Sequence, residues 1–163
     1  MQTTEVPAMV RAPWPDDLPS VARIAEAAGL FPADLLPSMI VDHLEGSEKQ
    51  VWLVVEDAGV VQGFAFAEPE PLTDRTWNLR AIGIDPTRQR LGLATALLSG
   101  VEATLRDRTA RVLIIETTDG DDQHAARAFY ARRGYSDEAR IRNFWEDGVA
   151  KLVFAKVLSP QNH

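Results

Sequence analysis

The stretch RTWNLRAIGIDPTRQRLGLATALL, followed a few residues later by RVLIIETT, constrains this chain most. It reads as a strand, a proline loop, a helix and a second strand. In the first strand Leu79, Ala81, Ile82 and Ile84 do not alternate cleanly, which predicts burial on both faces or a bulge near Gly83. The helix carries an apolar stripe of Leu91, Ala94, Leu98, Val101 and Leu105 at helical spacing. RVLIIETT has no polar residue between Val112 and Ile115, as expected of a buried strand.

The remaining elements assemble around this unit. Residues 8–11 predict a short first strand. WPDDLPSVARIAEAAGL predicts a helix capped by Asp16 or Asp17, with Val21, Ile24 and Ala28 on one face and Gly29 as its stop. FPADLLPSMIVDHLEG predicts a second helix facing inward through Leu36, Ile40 and Leu44. QVWLVVEDAGVVQGFAFAEPE predicts a hairpin turning at Asp57-Ala58-Gly59. DDQHAARAFYARRG predicts a helix capped by Asp121 or Asp122 and stopped at Gly134. Two last strands are expected, from about Tyr135 to Asn143 and from Ala150 to Val157. The order β α α β β β α β α β β predicts an α+β (mixed α/β) fold: one domain over residues 1–158, with 159–163 as a frayed tail.

Composition narrows the chemistry. A chain of 163 residues without cysteine has no disulfide, no thiolate metal site and no cysteine nucleophile. No apolar run approaches the roughly 20 residues needed to span a bilayer, and the start lacks a signal-peptide pattern, so a cytoplasmic address is expected. The formal net charge of −7 argues against a general nucleic-acid binder, which would need basic phosphate contacts. His43 and His124 have no partner at metal-ligand spacing, so no metal site is expected.

Positive charge at a helix start needs explaining, because the helix dipole already makes that end positive. Arg88, Gln89 and Arg90 stand there, followed by Gly92, Ala94 and Thr95. Two readings fit. The arginines can be solvated, or the free N–H groups of the first turn can hold an anion such as a pyrophosphate. The stretch is neither a P-loop nor a GxGxxG dinucleotide fingerprint.

RAIGIDPTRQRLGLATALL resembles the acyl-CoA-binding motif of the GNAT N-acyltransferases, a strand and proline followed by [RQ]xxGx[GA] at a helix start, here Gln89, Gly92 and Ala94. RAFYARRGYSDEARIRNFW resembles the next helix and strand of that family. The resemblance implies a mostly antiparallel sheet of about seven strands, splayed between the fourth and fifth and flanked by about four helices. It implies acetyl-CoA as co-substrate. Ile82, Gly83 and Ile84 would pair with the pantetheine arm through their backbone. The segment Gln89, Arg90, Leu91, Gly92, Leu93, Ala94 and Thr95 would hold the pyrophosphate through its N–H groups. Gln123 stands where many relatives have an asparagine against the CoA arm.

For catalysis the resemblance places Tyr130 as the acid that protonates the departing thiolate. Glu116, at the end of RVLIIETT, is the first candidate for the base that takes the amine proton, with Glu68 and Glu70 behind it. Many relatives have a carboxylate where this chain has Asn78. Trp145 and Phe144 either overhang the acceptor or join the core. The function implied is direct acetyl transfer to the primary amine of a small molecule or amino acid derivative. Acetylation of a protein N-terminus or lysine, and a CoA-binding module without catalysis, are the alternatives. A homodimer is expected.

Overall fold

The computed structural model describes residues 8–89 and 91–160, the side chain of Leu91 excepted. Arg90 and the last three residues of the expected tail lie outside the described residues. The elements are β1 (Met9–Arg11), α1 (Leu18–Ala27), α2 (Leu36–Leu44), β2 (Val51–Asp57), β3 (Val60–Pro69), β4 (Thr76–Ile84), α3 (Leu91–Asp107), β5 (Val112–Thr118), α4 (His124–Arg132), β6 (Ser136–Glu146) and β7 (Val149–Val157). The seven strands form one sheet in the order β1-β2-β3-β4-β5-β7-β6. The α+β class and the element order are as expected. By contact the chain forms two compact units. One runs up to Glu68 and takes in Ala81–Thr104. The other comprises Pro69–Arg80 and the chain from Leu105 onward.

In the first unit, β2 and β3 are rich in β-branched and aromatic residues and pair antiparallel across a two-residue turn. Ala58 and Gly59 both have positive φ, 53° and 79°, as a tight hairpin turn with the right twist requires. Val21 and Ile24 of α1, Leu36 and Ile40 of α2, and Trp52, Val54, Phe64 and Phe66 of the hairpin share one core. Trp52 stacks on Phe66 with ring centroids 4.1 Å apart. Each such buried side chain contributes roughly 1.5–3 kcal/mol. Leu44, expected to face inward, is 37% exposed, because α2 ends at that residue and the chain turns away at Gly46. Gly63 allows a close approach of β3 to the end of β4: a Cβ there would lie 2.8 Å from the Gly83 carbonyl oxygen. In α3, Leu98, Val101 and Leu105 of the expected stripe are buried, joined by Leu93 and Leu97.

In the second unit, β4 runs parallel to β5, and β7 lies antiparallel to both β5 and β6. Trp77, Asn78 and Leu79 are buried in succession, so β4 is covered on both faces. The parallel ladder runs from Thr76↔Val112 to Leu79↔Ile115 and stops, although both strands continue. The β4–β5 pairing thus lies wholly within the second unit.

Two helix starts differ from expectation. Asp17 is the residue before α1, but its carboxylate accepts from Trp14 N–H at 2.7 Å and from the Arg11 guanidinium at 2.7 Å rather than from the helix. Asp121 and Asp122 lie in a 3-10 turn, Asp121–Gln123, and α4 itself begins at His124 without a side-chain cap. β6 reaches Glu146, three residues beyond the expected Asn143.

Candidate active site

In the first unit, β4 ends in Ile82, Gly83 and Ile84, and Asp85 follows. Asp85 caps the 3-10 turn Pro86–Arg88, accepting from Thr87 N–H at 3.0 Å and from the Thr87 hydroxyl at 2.8 Å. Arg23 of α1 donates to its other oxygen at 2.7 Å. These three donors, the guanidinium foremost, hold the Asp85 carboxyl down to about 2. The loop that leads into α3 is thus fixed by an ionised side chain that sequence reading did not single out.

The sign follows from that depression: the stabilisation is present above the ordinary carboxylate range and is lost as pH falls through about 2. Asp85→Ala is expected to lower Tm by roughly 2–4 °C at neutral pH. A thermal melt at pH 7, repeated at low pH where wild type and variant should converge, checks it.

Gln89 and Gly92 are exposed, Leu93 is buried, and Ala94 and Thr95 are half-buried. Arg90 lies outside the described residues, as does the side chain of Leu91. A Cβ added at Gly92 would meet nothing within 4 Å among the described residues. The first turn of α3 therefore presents backbone N–H groups beside open space. The N–H groups of a helix's first turn have no partner within the helix, and such donors suit a phosphate oxygen.

The second unit holds a cavity of about 150 Å³ lined by Asn78, Leu79, Arg80, Glu116 and Trp145. Its position follows from the sheet. The β4–β5 ladder ends at Leu79↔Ile115, so Arg80 and Glu116 are the first residues beyond the pairing. Glu116 faces Val153 across the β5–β7 ladder, and Thr118 faces Lys151, which sets Glu116 and Lys151 diagonally on one face. Lys151 Nζ lies 2.9 Å from Glu116 Oε1, and Arg80 Nη1 lies 3.9 Å from Oε2. The Lys151 ammonium also sits 4.3 Å from the Phe144 ring centroid. The candidate base is thus a carboxylate held between two cations.

Trp145 lies where the β6–β7 ladder is interrupted, between Ile141 and Glu146, with Asn143 at φ 57°. Its indole N–H donates to the Thr117 carbonyl at 3.2 Å, which fixes the ring beside the cavity. Arg127 of α4 donates to the carbonyls of Thr118 and Gly120, both at 2.8 Å, and so fastens the turn after β5.

Tyr130 is not among the cavity's lining residues. It is 7% exposed and packs against Phe129, Tyr135 and Phe154. Burial pushes its phenol up to about 12. Gln123 is half-buried and directly precedes α4. Glu68 is half-buried at the end of β3. Glu70 is turned to Asn78, whose Nδ2 donates to Glu70 Oε1 at 2.6 Å. The pairings of Glu116 with Lys151 and of Glu70 with Asn78 were missed from sequence, because both depend on register and loop path.

A seven-stranded α+β sheet with a parallel β4–β5 pair, and a carboxylate just beyond that pairing, is the arrangement expected of an acyl-transferring fold. The sequence model of the acetyltransferase (GNAT) family matches residues 14–135, and the chain belongs to that family. Among solved structures it is similar to a protein from Desulfovibrio desulfuricans assigned to the GNAT acetyltransferases, with 28% identity, 94% of this chain and 100% of that one covered, and a TM-score of 0.86. It shares its fold with the ribosomal-protein-S18-alanine N-acetyltransferase of Escherichia coli, at 22% identity, 96% and 97% coverage and a TM-score of 0.77. A protein from Salmonella typhimurium, assigned as an acetyltransferase and solved with its cofactor acetyl-CoA, matches at 18% identity, 96% coverage of each chain and a TM-score of 0.78. No curated protein matches the chain. Among the described residues no helix is long and apolar enough to cross a membrane.

Proposed function

We propose that this acetyltransferase moves an acetyl group from acetyl-CoA directly to the primary amine of a small molecule or amino acid derivative. The observation that carries the reading is the cavity of about 150 Å³ at the end of the β4–β5 ladder, with Glu116 in its wall. A space of that size suits the end of one amine. Acetyl-CoA, when bound, supplies the acetyl group as an activated thioester.

The chain's own residues do the rest. The backbone of Ile82, Gly83 and Ile84 pairs with the pantetheine arm, and N–H groups from Gln89 to Thr95 hold the pyrophosphate, with Gln123 against the arm. An alkylammonium near pKa 10 must lose a proton before its nitrogen can attack. Glu116 takes that proton, directly or through a water. Tyr130 gives its hydroxyl proton to the departing thiolate.

Calorimetric titration with acetyl-CoA is the first test. Wild type is expected to bind in the micromolar range. Gly92→Leu has open space for its side chain, so it should leave Tm unchanged while weakening acetyl-CoA at least about tenfold, as blocked access to helix-start N–H groups would. Thiol release is then measured with propylamine, glycinamide, lysine, spermidine and a short peptide with a free N-terminus. Turnover confined to the peptide would favour a protein substrate. Binding without any turnover would favour a CoA-responsive module.

A further inference from the structure

Asn78 is 1% exposed, yet its Oδ1 has no hydrogen-bond partner among the described residues. A buried carbonyl without a partner costs about 1–3 kcal/mol, so it needs an explanation. The amide's orientation is not open. Its other arm lies 2.6 Å from a carboxylate oxygen of Glu70, and a carboxylate only accepts, so the NH2 must face Glu70. The oxygen is then the arm left over, on a side chain that lines the cavity beside Glu116.

The loop before β4 is built to hold this arrangement. Glu70 N–H donates to the Thr76 carbonyl at 2.8 Å, the Thr73 hydroxyl donates to the Glu70 carbonyl at 2.9 Å, and Thr76 N–H donates to the Thr73 hydroxyl at 3.2 Å. Glu70 is thereby returned to within reach of a strand residue eight positions later.

We propose that Asn78 Oδ1 is the acceptor that binds an N–H of the incoming amine, and that Glu70 is a positioning residue that fixes the amide with its oxygen turned away from Glu70. This rests on the amine-acetylation reading and assigns that site its nitrogen-binding group. A primary amine keeps N–H bonds throughout its attack, and its nitrogen becomes more positive as the C–N bond forms. A carbonyl oxygen in a buried site then binds it more strongly in the transition state than in the ground state. An amide does this without adding a second negative charge beside Glu70.

The test separates the positioning role of Glu70 from a role as base. Asn78→Leu is expected to lower kcat/KM for every amine in the panel by roughly ten- to hundredfold, with acetyl-CoA affinity unchanged. Glu70→Ala should fall similarly. Glu70→Gln, whose side-chain oxygen can still accept from Asn78, should recover most of the loss. Full activity in Asn78→Leu would overturn the proposal. So would a Glu70→Gln variant as inactive as Glu70→Ala, with the acid limb of the pH profile gone, since Glu70 would then be the base itself. A wild type that binds acetyl-CoA but acetylates none of the panel would defeat the amine-acetylation reading alone. Carbon-detected NMR of the wild-type Asn78 carboxamide then decides: propylammonium added with CoA should shift its carbonyl signal, and an unmoved signal would overturn the proposal.

Discussion

Tyr130→Phe is expected to lower kcat about a hundredfold, within the range of a lost general acid, with no change in Tm and little change in acetyl-CoA affinity. The ring survives the substitution, so its packing on Phe129, Tyr135 and Phe154 survives too. Burial raises the phenol to about 12, so the hydroxyl keeps its proton at every working pH. A thiol in water titrates near 8.5, and a proton moving from the phenol to such a thiolate would run uphill. The same desolvation that raises the phenol also raises a thiolate brought into that setting, which narrows the gap. The pH profile of the wild type should therefore show no phenol ionisation up to about pH 10. Unchanged turnover in Tyr130→Phe would leave the residue a packing aromatic.

Glu116→Gln is expected to lower kcat by a comparable factor and to remove the acid limb of the profile. Glutamine keeps the size of the side chain but cannot take a proton from an ammonium. The substitution also removes the negative charge 2.9 Å from Lys151, whose side chain is only 15% exposed, although the glutamine oxygen can still accept from the ammonium. A stability loss of about 1–3 kcal/mol is expected alongside the kinetic one. The two effects separate the roles. A lower Tm with full turnover would make Glu116 a structural counter-ion for Lys151 and Arg80. A lower kcat with an unshifted acid limb would place the base elsewhere.

Much of the architecture was legible because it rests on local chemistry. The Ala58-Gly59 turn, the stripe of α3 and the apolar run of β5 each announce themselves within a few residues. Trp145 could not be placed. Asn143 adopts a left-handed backbone inside β6, and the ladder loses register there, so a two-residue period no longer tells which way the ring points. The aspartates before α1 and α4 looked like caps, but the carboxylate of Asp17 found a stronger donor in Arg11. Glu116 was visible as a strand-end carboxylate. Its cations were not, because Lys151 is far along the chain and joins it only through the β5–β7 register. Asn78 read as a missing carboxylate, and only the path of the loop before it shows that Glu70 comes to meet it.

The strand that carries Trp145 is the last in the sheet, eleven residues long and exposed throughout. Its outer row of backbone groups is a standing invitation to another strand, and Ile141, Phe144 and Trp145 make that row sticky. Asp137, Glu138, Arg140, Arg142 and Glu146, with the two breaks in register, work against such pairing. Colloidal behaviour and acceptor recognition are therefore written on the same ribbon. A substitution made there to widen the acceptor range alters the guard against self-association as well.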